Sequence, residues 1–176
     1  IIKGMTVGTG SFEGKDIFVY DLNASAAKSL ADICKVNVCS SAEDVIASSD
    51  VLVLAVKPNV LPDVVTQLKN KIIEKSPLVI SIAAGKTLEF LEGLIAKDFP
   101  IVRVMPNINA KVGCATSAFC TTETVSDEQK AIVKKLFSTV GAVTELSEKM
   151  FSIHSVIGGA APAFAYLYID ALSRAA

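Results

Sequence analysis

Four segments of this chain combine residue types that can hold a charged, flat small molecule. Tyr20-Asp21-Leu22-Asn23 offers a carboxylate able to accept a hydrogen bond from a ribose hydroxyl. Ala55-Val56-Lys57-Pro58 offers an ammonium group, a positively charged donor suited to phosphate. Ala83-Ala84-Gly85 has almost no side chain, which lets a planar ring lie close to the backbone. Pro106-Asn107 adds one amide that can bond a ligand or order its own loop. The segments hold no acid–base pair, and the chain has one histidine, His154. Such a set suits the holding and orienting of a reactive dinucleotide better than side-chain proton transfer.

Each segment ends or follows a short apolar, β-branched run. These runs are Ile17–Asp21, Val51–Val56, Leu78–Ala83 and Ile101–Met105, and two more lie at Ala115–Cys120 and Ala142–Leu146. Amphipathic stretches separate them at Ser25–Ile33, Ala42–Ser48, Val60–Glu74, Leu88–Ala96 and Asp127–Val140. Thr87 is an expected N-cap, and Ser126-x-x-Gln129 has the form of a capping box. The unbroken run Val51-Leu52-Val53-Leu54-Ala55-Val56 predicts a strand buried on both faces, as in a parallel sheet with helices on each side. The expected class is α/β, a doubly wound, Rossmann-like, mostly parallel sheet. In such sheets ligands bind beyond the carboxyl ends of the strands, so the four loops are expected to share one crevice.

The pattern changes after Leu146. Residues 147–176 read as helix, then a break at Gly158-Gly159, then a second helix from Pro162, where proline fits the first turn. The expected division is therefore a dinucleotide-binding domain over 1–146 and the start of an all-α dimerisation domain over 147–176. The chain opens on Ile1-Ile2-Lys3-Gly4-Met5 and closes inside an apolar helix, which reads as a fragment lacking its first strand and glycine loop. The run Gly8-Thr9-Gly10-Ser11-Phe12-Glu13-Gly14 imitates a phosphate-binding fingerprint. That fingerprint, however, follows a strand and opens a helix, whereas this one follows a helix and precedes a strand. It reads as a helix end and a turn.

Composition narrows the partners. Seventeen Lys and Arg face eighteen Asp and Glu, for a net charge of −1, which lacks the basic footprint that nucleic acid requires. No apolar run reaches the roughly 18–20 residues that cross a bilayer, so a membrane role is not expected. Cys34, Cys39, Cys114 and Cys120 form no C-x-x-C and, with one histidine, no zinc set, so no metal is expected. They read as buried, reduced thiols of a cytoplasmic protein.

Ile1-Ile2-Lys3-Gly4-Met5, Leu54-Ala55-Val56-Lys57-Pro58, Ser81-Ile82-Ala83-Ala84-Gly85 and Arg103-Val104-Met105-Pro106-Asn107 stand in an order that resembles pyrroline-5-carboxylate reductase. The resemblance covers nearly the whole chain. It implies reduction of L-1-pyrroline-5-carboxylate to L-proline by hydride from NADPH or NADH. It also implies that Ala55, Val56, Lys57 and Pro58 line the phosphate–ribose stretch, Ala83, Ala84 and Gly85 the nicotinamide side, and Asp21, Leu22 and Asn23 the adenosine ribose. Asn107 would bond the nicotinamide or order its loop. A homodimer or larger homo-oligomer is implied as well.

The chain departs from the family where S-G-S-G-P-A is replaced by Gly158-Gly159-Ala160-Ala161-Pro162-Ala163 and M-P-N-T-P by Met105-Pro106-Asn107-Ile108-Asn109. Ser152 replaces an Asp often found before the glycines. Two alternatives stay open: a non-catalytic nucleotide-binding paralogue, or another small-substrate dehydrogenase of β-hydroxyacid or prephenate type. His154 and the aromatics Phe164, Tyr166 and Tyr168 read as packing rather than catalysis. On charge alone, Asp21 favours NAD over NADP.

Overall fold

In the computed structural model, residues 1–175 are described; Ala176, the last residue of the expected second domain, lies outside them. Five strands form one sheet in sequence order: β3 (Val51–Leu54), β4 (Leu78–Ser81), β5 (Ile101–Met105), β6 (Ala115–Thr121) and β7 (Gly141–Glu145). The pairs β3–β4, β4–β5 and β6–β7 are parallel, and β5–β6 is antiparallel. Helix α3 (Leu61–Lys75) crosses between β3 and β4, α4 (Leu88–Leu94) between β4 and β5, and α5 (Asp127–Ser138) between β6 and β7. Every parallel pair of this sheet thus has the helical crossover that parallel pairing demands.

Alternation along the strands divides the core into two faces. Val79 and Ile101 pack with Leu61, Val65, Leu68 and Ile72 of α3 and with Leu91 and Ile95. Leu78, Ile80, Val102, Val104 and Phe119 pack with Val133, Leu136 and Phe137 of α5, and with Met5 of the N-terminal helix. All of β4 is buried, whereas the expected burial of Val51–Val56 on both faces does not hold: β3 ends the five-stranded sheet, Leu52 and Leu54 are buried but Val53 is exposed, so one face of the strand is left open.

The helix starts follow their caps. Thr87 Oγ1 accepts from Phe90 N at 3.1 Å, and Ser126 with Gln129 forms the expected capping box. Asn23 caps α1 (Ala24–Cys34), and Ser41 caps α2 (Ala42–Ser48), each by accepting a backbone N–H three residues on.

Three further expectations need correction. The first strand is shorter than Ile17–Asp21: β1 covers Phe18–Val19 and pairs in parallel with β2 (Asn37–Val38), a strand that sequence pattern did not predict. Both residues of β2 are exposed, so no burial alternation marks it. Among the described residues, these two strands hydrogen-bond each other and none of the five-stranded sheet, while α2 packs against β1.

The second correction concerns the helix break. From Glu148 to Ala175 the chain is one continuous helical run: a first turn, α6 (Phe151–His154), a wider π-type stretch over Ser155–Ala160, and α7 (Ala161–Ala175). Glycine costs a helix about 1 kcal/mol but does not forbid it. The run is long and apolar enough to cross a membrane, by length and composition, so the expected absence of such a segment does not hold.

The third concerns the thiols. Cys34 and Cys120 are buried, but Cys39 is half-buried and Cys114 exposed.

The glycine-rich decoy is a helix end. The N-terminal helix closes at Gly8, Thr9 N donates to Gly4 O at 3.0 Å, and Gly10 turns with φ +64°. Gly14 serves packing: a Cβ there would lie 2.1 Å from Cys34 O at the end of α1.

Candidate functional site

The register of the parallel strands sets the working edge. Leu54 stands opposite Ser81, and Ser81 opposite Arg103, so Ala55–Pro58, Ala83–Gly85 and Met105–Asn107 emerge from the same end of the sheet. Asp21, Leu22 and Asn23 follow β1 instead, outside the five-stranded ladder. Three of the four predicted loops are therefore brought to one edge by strand pairing, and the fourth stands on the separate two-stranded element.

Lys57 is exposed and has no ion pair among the described residues. Its carbonyl accepts from Val60 N at 3.0 Å and Leu61 N at 3.1 Å, which ties the loop to the start of α3 and leaves the ammonium group to solvent. Ala83 is buried, with its N–H donating to Ser81 Oγ at 3.3 Å, while Ala84 and Gly85 are open to solvent. Gly85 sits at φ +74°, a left-handed conformation in which other residues are strained, and a Cβ there would meet nothing within 4 Å. The turn is thus small and unobstructed, as close approach by a flat ring requires.

At the end of β1, Asp21 Oδ1 accepts from Asn23 N at 2.8 Å, and Asn23 Oδ1 accepts from Ser25 Oγ at 2.6 Å and Ala26 N at 3.2 Å. The turn is pre-formed around these bonds. Leu22 is 89% exposed, which leaves no cation in the turn to meet a phosphate.

Asn107 spends its amide inside the protein. Nδ2 donates to Gly158 O at 2.9 Å, and Oδ1 accepts from Thr116 N at 3.3 Å. Of the two roles weighed for it, ordering the loop is the one visible in these bonds; one N–H and one lone pair remain. The same loop is tied to the helical run twice more, by His154 Nε2 and Met105 O at 3.2 Å and by Tyr166 donating to Asn109 Oδ1. Gly158 leaves room for the His154 ring, since a Cβ there would lie 3.1 Å from its Cε1, whereas a Cβ at Gly159 would make ordinary contact with Met105 Cε at 3.5 Å.

Between loop and helix lies an open groove of about 480 Å³. Its walls come from Met105 to Ile108 with Ala110 and Lys111 on one side, and from Ser155, Gly159 and Ala160 on the other. Asn107 is the predicted site residue that lines it; Lys111 and Ser155 are lining residues that sequence reasoning missed. Lys111 follows no strand directly and belongs to no motif, so nothing in its neighbourhood announces it.

A second missed feature supports the site from behind. Arg103, 8% exposed on β5, donates from Nη1 to Glu148 Oε1 at 2.8 Å, and its guanidinium lies 4.5 Å from the centre of the Phe151 ring. Glu148 Oε1 also accepts from Leu88 N at 2.8 Å, at the start of α4. A charged residue inside Ile101–Met105 was the available signal, because a buried guanidinium needs a partner. Beside this pair, burial pushes the Cys120 thiol up to about 12, with Glu148 adding to the rise and Arg103 opposing it. Cys120 therefore stays protonated and unreactive near neutral pH. Among the described residues, no three His, Cys, Asp or Glu side chains gather as a metal set.

Several known proteins are similar to this chain. Residues 4–85 match the family described as NADP oxidoreductase, coenzyme F420-dependent. A pyrroline-5-carboxylate reductase of Arabidopsis thaliana is 40% identical over 138 residues, covering 78% of this chain and 49% of that protein. The solved pyrroline-5-carboxylate reductase of Coxiella burnetii superposes with a TM-score of 0.91 at 28% identity, covering 99% of this chain and 64% of that one. The solved pyrroline carboxylate reductase of Plasmodium falciparum, with NADP bound, gives a TM-score of 0.85 at 28% identity, covering 99% and 63%. The chain spans between 49% and 65% of the length of the curated relatives it matches.

Proposed function

Sequence and fold support the pyrroline-5-carboxylate reductase family for this chain over the part of its relatives that it spans, and on that premise we propose that it provides the cofactor-binding part of an enzyme reducing L-1-pyrroline-5-carboxylate to L-proline. The observation that carries the reading is the likeness of 99% of the chain to a solved reductase, with the small, open turns at the edge where ligands of such sheets bind. The division into a dinucleotide-binding unit over 1–146 and a helical unit beginning at 147 belongs to the same proposal.

The residues at the edge fit NADPH or NADH. Lys57, which has no ion pair among the described residues, would receive the phosphate–ribose stretch along Ala55, Val56 and Pro58. Ala83, Ala84 and Gly85 would face the nicotinamide side, where only small residues leave room. Asp21, Leu22 and Asn23 would meet the adenosine ribose. When bound, the reduced nicotinamide supplies the hydride. The chain's own residues position and shield: a protonated cyclic imine is already electrophilic, so no side-chain base is needed. Asn107 and His154 hold the loop after β5 against the helix and so fix the groove wall.

The proposal includes a soluble, cytoplasmic enzyme acting as a homodimer or larger homo-oligomer, with the apolar helix α7 covered by protein rather than lipid. Its test is direct. The intact protein, given pyrroline-5-carboxylate, is expected to oxidise NADH and NADPH; a folded, cofactor-binding protein with no turnover would overturn the reductase reading and leave the paralogue or a dehydrogenase of another small substrate.

Asp21 predicts the order of the two cofactors. Its carboxylate can accept from a ribose 2′-hydroxyl and repels a 2′-phosphate, so kcat/KM is expected to favour NADH. Asp21→Ala should shift the ratio toward NADPH by about tenfold, roughly 1.4 kcal/mol. A wild-type preference for NADPH that the substitution leaves unchanged would show that this carboxylate does not read the ribose.

A further inference from the structure

Given the reductase reading, we propose that His154 is a positioning residue for hydride transfer, and that glycine at 158 is the space its ring requires rather than the mark of a lost function. A Cβ at 158 would lie 3.1 Å from Cε1 and 3.3 Å from Nε2 of that ring. Carbon contacts are ordinarily about 3.5–4.0 Å, so any side chain at 158 pushes the ring. The ring has little freedom to yield, because Phe151, 1% exposed, packs with its centre 6.5 Å away. Met105 O can only accept, so His154 donates to it from Nε2, at 3.2 Å. That distance is already at the long end for such a bond, and the push from a Cβ at 158 would take it outside. A serine at 158, as in the family motif, would meet the same ring. The glycine therefore follows from the histidine.

The helix supplies the second half of the grip. Pro162 has no N–H, so the carbonyl of Gly158, four residues earlier, lacks its α-helical donor. Asn107 Nδ2 donates to that oxygen at 2.9 Å instead. The proline ring also crowds this carbonyl, which accounts for the wider turn over Ser155–Ala160. Asn107 carries the restraint onward: its Oδ1 accepts from Thr116 N at 3.3 Å and its carbonyl from Ala110 N at 3.1 Å. Cys114 N closes the segment on Asn109 O at 3.1 Å. Met105 and Asn107 line the groove and His154 does not, so the ring acts through them. They emerge at the same end of the sheet as the Ala83–Gly85 turn, where the nicotinamide is proposed to lie. Hydride transfer needs its reacting atoms about 3–3.5 Å apart, and a wall displaced by about 1 Å can cost a hundredfold in rate.

The test uses the intact protein and four variants: His154→Ala, His154→Gln, Gly158→Ala, and His154→Ala combined with Gly158→Ala. His154 is half-buried, so its removal is not expected to unfold the protein. His154→Ala should lower kcat about tenfold while KM for NADH stays within about twofold. His154→Gln, whose amide nitrogen reaches as far as the ring Nε2, should recover most of the rate. Gly158→Ala should lower kcat about fivefold by pushing the ring off Met105 O, yet cost less than about twofold once residue 154 is alanine. A histidine that only packs would not be rescued by glutamine. An unchanged kcat in His154→Ala, a folded His154→Gln that stays slow, or an equal cost of Gly158→Ala with and without the ring overturns the assignment.

Amide hydrogen exchange reads the same link without turnover. His154→Ala is expected to speed exchange at Ala110, Cys114 and Thr116 by about tenfold, with His154→Gln close to the wild type. Should the wild type not turn over, the reductase reading fails, and faster exchange in His154→Ala still upholds the ring as the pin of this loop. Unchanged exchange at these amides overturns it, whether or not the protein turns over.

Discussion

Replacing Glu148 with Leu is expected to cost about 3 kcal/mol of folding stability, the lower end of the loss seen when one partner of a buried ion pair is removed. The carboxylate serves two groups at once, accepting from Arg103 and from the first N–H of α4, each at 2.8 Å. Without it, a guanidinium that is 8% exposed keeps its charge in a nearly dry site, and the N–H of Leu88 loses its acceptor. Water reaches the Glu148 side chain, which is 32% exposed, and this holds the expected loss at the lower end. The pair also joins β5, the turn leading into α4, and the first turn of the C-terminal helical run. Two walls of the candidate site hang from these elements, so kcat/KM should fall with stability. Urea denaturation checks the first part, and the double substitution Arg103→Met with Glu148→Leu checks the cause: it should recover part of the loss because no charge is stranded. A single-variant loss below about 1 kcal/mol would mean that solvent already compensates Arg103.

The elements that were legible from sequence are those whose burial is set by their own residues. β4 and β5 are buried along nearly their whole length, and their largely apolar, β-branched runs mark them, whereas the longer apolar run at β3 leaves Val53 exposed because β3 ends the sheet among the described residues. The helices that begin at Thr87 and Ser126 announced themselves because a cap is a local hydrogen bond. What escaped depends on distant partners. β2 is two exposed residues, strand only because β1 lies beside it. The antiparallel direction of β6 leaves no trace in its composition. At Gly158-Gly159 local propensity pointed to a break, yet the helix continues, because the loop after β5 grips it through Asn107, His154 and Tyr166.

The same distinction divides the site. Lys57 and the Ala83–Gly85 turn could be found because they follow strands directly, and the carboxyl ends of parallel strands are where ligands bind. Asn107 could be found as a residue, but its bonds to Gly158 and Thr116 could not, since neither partner is marked by any local pattern. Lys111 lines a groove because the helical run closes the other side, and nothing in its own segment marks that. Arg103 was visible as an oddity in an apolar strand, whereas nothing local tied Glu148 to it across 45 residues.

The proposed homodimer carries the other large effect. Along α7, Phe164, Leu167, Tyr168, Ile169 and Leu172 are each more than half exposed in the single chain. Apolar side chains of this size gain about 1.5–3 kcal/mol each when fully buried, so leaving all of them in water opposes a stable, soluble monomer. Two kinds of cover are chemically suited, protein and lipid, because the helical run passes the length and composition test for a membrane span. Its first turns argue for protein: Phe151 is 1% exposed against the sheet, and Glu148 is bound to Arg103. A helix anchored so closely at one end moves with the α/β unit, and a second copy offers the same apolar face in return. The intact protein is therefore expected to sediment as a dimer or larger at micromolar concentration and to remain soluble without detergent. Phe164→Glu with Tyr168→Glu, which stand one turn apart and place charge on that face, should lower the mass to that of a monomer. The dimer should weaken by at least about a hundredfold, while the sheet-side core is left intact. A wild type that sediments as a monomer, or a doubly charged variant that stays dimeric, would show that α7 finds its cover elsewhere.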